Sequence, residues 1–119
     1  MSLQYTREYE ALAAFERAHD VAIRAWPEAI EDLSETAALM TALDLVISVC
    51  NTVVHLGGAL GRPLWVMAPY SAAWRYGLSG EAMSWYPSVT VLRQHDRGQW
   101  GPTVEEAAAR LAEVIPKRQ

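Results

Sequence analysis

A single cysteine, Cys50, occurs in 119 residues, so no internal disulfide can form. No apolar run approaches the ~20 residues of a membrane-spanning helix, and the opening MSLQYTREYE lacks the basic cluster and apolar core of a secretory leader. These absences together point to a cytoplasmic setting with no membrane span. Cations are also few. Ten Lys and Arg against fourteen Asp and Glu leave a formal charge of −4, with no basic run to follow a phosphate backbone, which speaks against nucleic acid as a partner. Neither G-x-G-x-x-G nor G-x-x-x-x-G-K-[ST] occurs, which excludes a dinucleotide fingerprint and a P-loop. His19 and His95 have no partners at metal-ligand spacing, so no metal is expected. No Ser-His-Asp or paired-carboxylate arrangement is legible, and no residue is assigned a catalytic role.

What is present is the composition of one globular domain spanning 1–119, long enough to bury roughly two-thirds of its unfolded surface. Short β-like runs alternate with helix-spaced stretches, the pattern of an α/β protein with a parallel sheet. The reading gives a short strand at 3–5, then an amphipathic helix at 7–19 with Leu12 and Phe15 on one face. After a brief apolar VAI at 21–23, Asp32 with Glu35 three residues on starts a second helix ahead of Leu39, Met40 and Leu43. The β-branched run at 45–49 reads as a central strand covered on both faces. A helix follows from Asn51 or Thr52 and closes at Gly61 and Pro63, with Gly57 and Gly58 expected to let it lie close to the sheet. Strands at 64–68 and 89–93 flank a long aromatic loop at 69–87, with room for one helical turn. A last helix is capped by Thr103 and Glu106 and runs through Ile115, with Ala108, Leu111, Ala112 and Ile115 inward. About four helices and four or five strands of this kind define a Rossmann-like sheet flanked by helices.

The stretch SVCNTVVHLGGALGRP at 48–63 carries the first candidate site. In such sheets the ligand crevice lies beyond the carboxyl ends of the strands, which is where this helix begins. The amides of Thr52, Val53 and Val54 are expected to point outward with the positive end of the helix dipole, as an anion site requires. Asn51 or Thr52 can cap the helix or contact an oxygen, and His55, one turn in, leans back toward the same anion. The spacing serves equally a core histidine with structural caps. The second candidate is the loop PYSAAWRYGLSGEAMSWYP, where rings can stack on a base or sugar and Arg75 can fork onto a phosphate. Trp74 and Trp85 could equally fold that loop onto the core.

The combination of H-L-x-G-A-L-G-x-P at 55–63 with W-R-Y-G at 74–77 and W-Y-P at 85–87 resembles the C-terminal domain of bacterial tetratricopeptide-repeat proteins with a glycosyltransferase-like end. Those are similar to ADP-heptose lipopolysaccharide heptosyltransferases and, more distantly, to protein O-GlcNAc transferases. The resemblance covers 2–111. It implies the donor-binding half of a GT-B glycosyltransferase, metal-independent and inverting, that takes a nucleotide sugar as substrate with no other cofactor. It also implies an N-terminal glycosyltransferase domain, and tetratricopeptide repeats, as partners in a longer protein, so that this chain alone is expected to be inactive. Carried over by position, Gln4, Asn51, Thr52 and the Val53 amide would contact the donor diphosphate with His55 beneath it, and Tyr70, Trp74 and Arg75 would line the mouth. The heptosyltransferases carry D-T-x-x-x-H where this chain has Cys50 and Asn51 ahead of His55. With the aspartate missing, two alternatives stay open: a non-catalytic interaction or scaffold module, or a binder of another phosphate ligand.

Overall fold

A computed structural model describes residues 1–3 and 8–116, with only the backbone described at position 30. The chain divides into two compact units, Met1–Ala42 and Leu43–Gln119.

The first unit is helical. The expected strand at 3–5 runs into residues outside those described; a single parallel bridge joins Ser2 to Ala25, the Ser2 amide donating to the Arg24 carbonyl at 2.8 Å. Helix α1 is Tyr9–His19 and buries no residue fully. Leu12 is half-buried, whereas Phe15 is 50% exposed and lies 4.2 Å from the His19 ring. The chain leaves α1 through Asp20 in the left-handed conformation, φ 51°. After the short α2, Glu28–Glu31, helix α3 is Leu33–Thr41. Asp32 caps α3 as expected, its carboxylate accepting from the Ser34 amide at 2.8 Å. Met40 is fully buried.

The second unit holds the sheet. Strands β1 (Val46–Val49), β2 (Leu64–Ala68) and β3 (Val89–Arg93) are all parallel in the order β1-β2-β3, with Val46 opposite Leu64 and Leu64 opposite Val89. The α/β reading with a parallel sheet therefore holds in a small form: three strands among the described residues, rather than four or five. Leu64, Val66, Ala68, Val89, Val91 and Leu92 are buried, each large side chain contributing about 1.5–3 kcal/mol. The central strand is β2. Among the described residues β1 is an edge, and Ile47 and Val49 are 37% and 48% exposed, so its apolar run is not covered on both faces. An unbroken β-branched run marks a strand but carries no record of how many neighbours it has.

Helix α4, Thr52–Ala59, links β1 to β2. Its end is a Schellman motif: Gly61 sits at φ 65°, its amide donates to the Gly58 carbonyl, and the Arg62 amide donates to the Gly57 carbonyl. The connection from β2 to β3 is the aromatic loop, whose one helical turn is the 3-10 turn Trp74–Tyr76. Helix α5, Gly101–Val114, begins two residues before the expected Thr103 cap, because Pro102 fits the first turn where no amide is needed. Thr103 lies inside the helix and is fully buried. The inward stripe is consequently Thr103, Ala107 and the half-buried Leu111; Ala108, Ala112 and Ile115 are exposed. Three successive alanines at 107–109 cannot phase a helix by themselves. Arg110, paired with Glu106 at 2.6 Å and with Glu81, turns the neighbouring face toward the loop beside β3.

Candidate functional site

Past Val49 the chain turns through Cys50 and Asn51 and enters α4, at the carboxyl end of β1. Asn51 is the N-cap. Its Oδ1 accepts from the Val53 amide at 3.0 Å and from the Ser48 hydroxyl at 3.2 Å, and its carbonyl accepts from the Val54 amide at 3.2 Å. Two of the three amides expected to face outward are thus taken by the cap residue itself. An asparagine oxygen reaches the same N–H that an anion would, and in this structure it holds it. Thr52 is exposed.

His55 is half-buried one turn into α4, in a cluster of rings from the aromatic loop. Its Nδ1 is 3.3 Å from the Tyr86 hydroxyl, and its ring centroid is 5.9 Å from Trp85 and 6.4 Å from Tyr76. Trp85 in turn meets Trp74 edge to face at 5.4 Å. The expected approach of helix to sheet at the glycine pair takes a different form: a Cβ on Gly58 would lie 2.3 Å from the Tyr86 ring, so the glycine admits Tyr86 against α4.

Cys50, half-buried before the cap, faces Tyr76, which is 1% exposed and whose enclosed hydroxyl makes no well-formed hydrogen bond. Burial pushes the Cys50 thiol up from its usual range, partly opposed by the Tyr76 hydroxyl and by the positive guanidiniums of Arg75 and Arg93. Burial also raises the Tyr76 phenol, and the thiol beside it acts in the same direction. Arg75 lies over the Tyr76 ring, 5.4 Å from its centroid, with its buried Nε unpartnered. Arg93, from the end of β3, forks onto the loop: it donates to the carbonyls of Gly80 at 2.8 Å, Gly77 at 3.1 Å, Ser79 at 3.3 Å and Tyr76.

Of the residues singled out in the sequence, Asn51, Thr52, Val53 and His55 share the start of α4, and Trp74 and Arg75 join them through Trp85 and Tyr76. Tyr70 goes elsewhere: its amide donates to Gln94 at 3.0 Å and its ring lies 5.8 Å from the Arg97 guanidinium. Gln4 lies outside the described residues. Trp85, Tyr86, Tyr76 and Arg93 were not among the residues carried over by position, although the candidate loop contains the first three. The first three belong to the same ring-rich loop, so ring density was the available signal; nothing local marks Arg93. Among the described residues no group of three or more His, Cys, Asp and Glu stands together as a metal would need, and no helix is long and apolar enough to cross a membrane.

Fold and site together define a small α/β protein with a parallel sheet and a ring-lined turn at the carboxyl end of β1. The chain is 36% identical over 115 residues to Protein FlbA of Caulobacter vibrioides, across 93% of this chain and 19% of FlbA. It thus spans about a fifth of the length of that curated relative. No family model and no solved structure matches it.

Proposed function

We propose that this chain is the donor-binding part of a metal-independent, inverting glycosyltransferase of GT-B type, holding the diphosphate of a nucleotide sugar at the start of α4. One observation carries the reading: α4 starts at the carboxyl end of β1, and Tyr76, overlain by the Arg75 guanidinium at 5.4 Å, lies against Cys50 immediately before it. The positive helix end and the nearby Arg75 favour an anion there. In glycosyl transfer the departing nucleoside diphosphate gains negative charge, and fixed positive groups at its seat stabilise it electrostatically. Asn51 Oδ1, a neutral oxygen on the Val53 amide, stands where a phosphate oxygen could replace it. The acceptor and the facing wall of the crevice would come from an N-terminal glycosyltransferase domain, with tetratricopeptide repeats beyond it, in a cytoplasmic protein.

Calorimetric titration of the chain with inorganic pyrophosphate and a panel of nucleoside diphosphates tests the proposal. Saturable 1:1 binding, weakened several-fold by His55→Ala with folding retained, is the expected result. Absence of heat from every member of the panel overturns it.

A second reading has its own support. The Val53 and Val54 amides are already satisfied by Asn51, as in a purely structural cap, and Cys50 brings no carboxylate to the turn. A non-catalytic interaction module of the same fold would show the same cap and fail the titration.

A further inference from the structure

The helical unit carries a cleft of its own, apart from the sheet. It runs along α2 and α3 with a volume of about 250 Å³, and Trp26, Ala38, Leu39 and Ala42 give it apolar walls. The carboxylates of Glu28 and Glu35 line it as well. Its frame is fixed from within the unit: Asp32 caps α3, and the Thr36 hydroxyl donates to the Ala29 carbonyl of α2 and, at 3.2 Å, to that of Asp32. A frame held this way needs little reordering when the cleft is filled. Trp26 is 39% exposed, so part of its indole belongs to the cleft surface rather than to a core. Among the described residues no ion pair takes up Glu28 or Glu35.

Charge identifies the occupant. Positions 1–42 hold eight acidic side chains and three arginines, whereas 43–119 hold six acids and seven Lys or Arg, so the negative charge of the chain lies in the first unit. Between Arg24 and Arg62 there is no Lys or Arg at all. Size narrows the choice further. Small-molecule sites run to roughly 300–1,000 Å³ and enclose most of their ligand, whereas this cleft is smaller and its walls, Ala29 apart, are exposed or half-buried. That suits one side chain reaching in from a larger partner. Arginine matches every wall: its stem packs on apolar groups, its guanidinium stacks on an indole, and its planar fork pairs with carboxylates. We infer that the α2–α3 cleft is a docking site for a basic segment of a partner protein, with an arginine between Trp26 and the carboxylates of Glu28 and Glu35.

The test titrates the 119-residue chain with an acetylated, amidated tri-arginine peptide and follows the Trp26 indole N–H by NMR, its resonance assigned by its loss in Trp26→Leu. A saturable shift is expected, with tri-lysine binding more weakly. N-acetylarginine amide should also bind more weakly than the peptide, because it leaves the acidic surroundings of the cleft unused. The Glu28→Gln, Glu35→Gln double variant removes two exposed pairs and should weaken tri-arginine roughly 2- to 30-fold. Trp26→Leu keeps an apolar wall but loses the ring, and should weaken it roughly 2- to 5-fold, read from the remaining shifts of α3. A Glu8→Gln, Glu10→Gln variant removes the same charge from the start of α1 and should leave affinity unchanged. If the two double variants weaken binding equally, the attraction is to net charge alone and the inference is wrong. If N-acetylarginine amide binds as tightly as the peptide, the occupant is a small cation and no protein segment. Absence of any saturable shift at Trp26 also overturns it, whatever the outcome of the diphosphate titration.

Discussion

Nδ1 of His55 on α4 lies 3.3 Å from the hydroxyl of Tyr86 in the aromatic loop, a contact between residues 31 apart in sequence. This bond ties the helix that starts at the candidate site to the loop that walls it. Tyr86→Phe should cost about 0.5–1.5 kcal/mol of stability in urea denaturation, the net worth of one hydrogen bond. It should also weaken pyrophosphate binding less than His55→Ala does, because the imidazole itself remains. Equal losses of affinity in the two variants would mean that His55 matters only through its tether.

Gly58→Ala tests the close approach of Tyr86 to α4. In an open helix the change would stabilise by up to about 1 kcal/mol. Here the new methyl would meet Tyr86 Cγ at 2.3 Å and its Cβ at 2.8 Å. Overpacking of this kind costs about 1–3 kcal/mol, so the overlap outweighs the propensity gain. The melting temperature should fall, and the His55 ring resonances should shift as Tyr86 is displaced.

Arg93→Lys separates charge from geometry. A lysine keeps the positive field at Cys50 but cannot donate to four carbonyls in fork geometry. Hydrogen exchange should accelerate at 76–80, with a stability loss of about 1–3 kcal/mol for the unmatched carbonyls. Unchanged exchange there would show that the loop holds itself.

Burial raises both the Cys50 thiol and the Tyr76 phenol, so the folded state favours their neutral forms. Groups raised on folding contribute stability that is complete below their unfolded values, near 9 and 10, and lost as pH rises through the folded ones. Unfolding free energy should therefore decline above pH about 9, and the decline should flatten in a Cys50→Ala, Tyr76→Phe double variant. Alkylation of Cys50 at mildly alkaline pH should be slower in the native chain than in urea.

The acid side is carried in part by Glu81. Arg110 beside it holds its carboxyl below the usual carboxylate value of 4.5. A carboxyl depressed on folding contributes stability present above that unfolded value and lost as pH falls through the folded one. The pair is exposed, so the effect should stay below about 1 kcal/mol. Glu81→Gln should shallow the acid limb of a pH-stability curve by that small amount and leave the neutral plateau nearly unchanged.

Much of this was legible in one dimension. Strands 64–68 and 89–93 form with the bounds the apolar runs indicate, and Asp32 and Gly61 cap and close their helices as the residue types require. These are local matters of backbone conformation and nearest-neighbour hydrogen bonds. The neighbourhood of Asn51, Thr52 and His55 was legible for the same reason, since one helical turn sets it. Errors arose where a choice depended on what lies opposite. The edge position of β1 and the stripe of α5 at Thr103 and Ala107 each turn on a partner that hydrophobic spacing does not encode.

By itself, then, the sequence determined the parallel α/β class, the helix start after β1 and the loop rich in rings, because periodicity, capping residues and composition act over a few residues. Only the tertiary structure decided that Gly58 makes room for Tyr86, that Arg93 locks the loop from β3, and that Trp74 is displayed while Tyr76 is buried. These are packing relations between segments distant in sequence, and they exist only once the sheet brings the ends of β1 and β3 into the same neighbourhood.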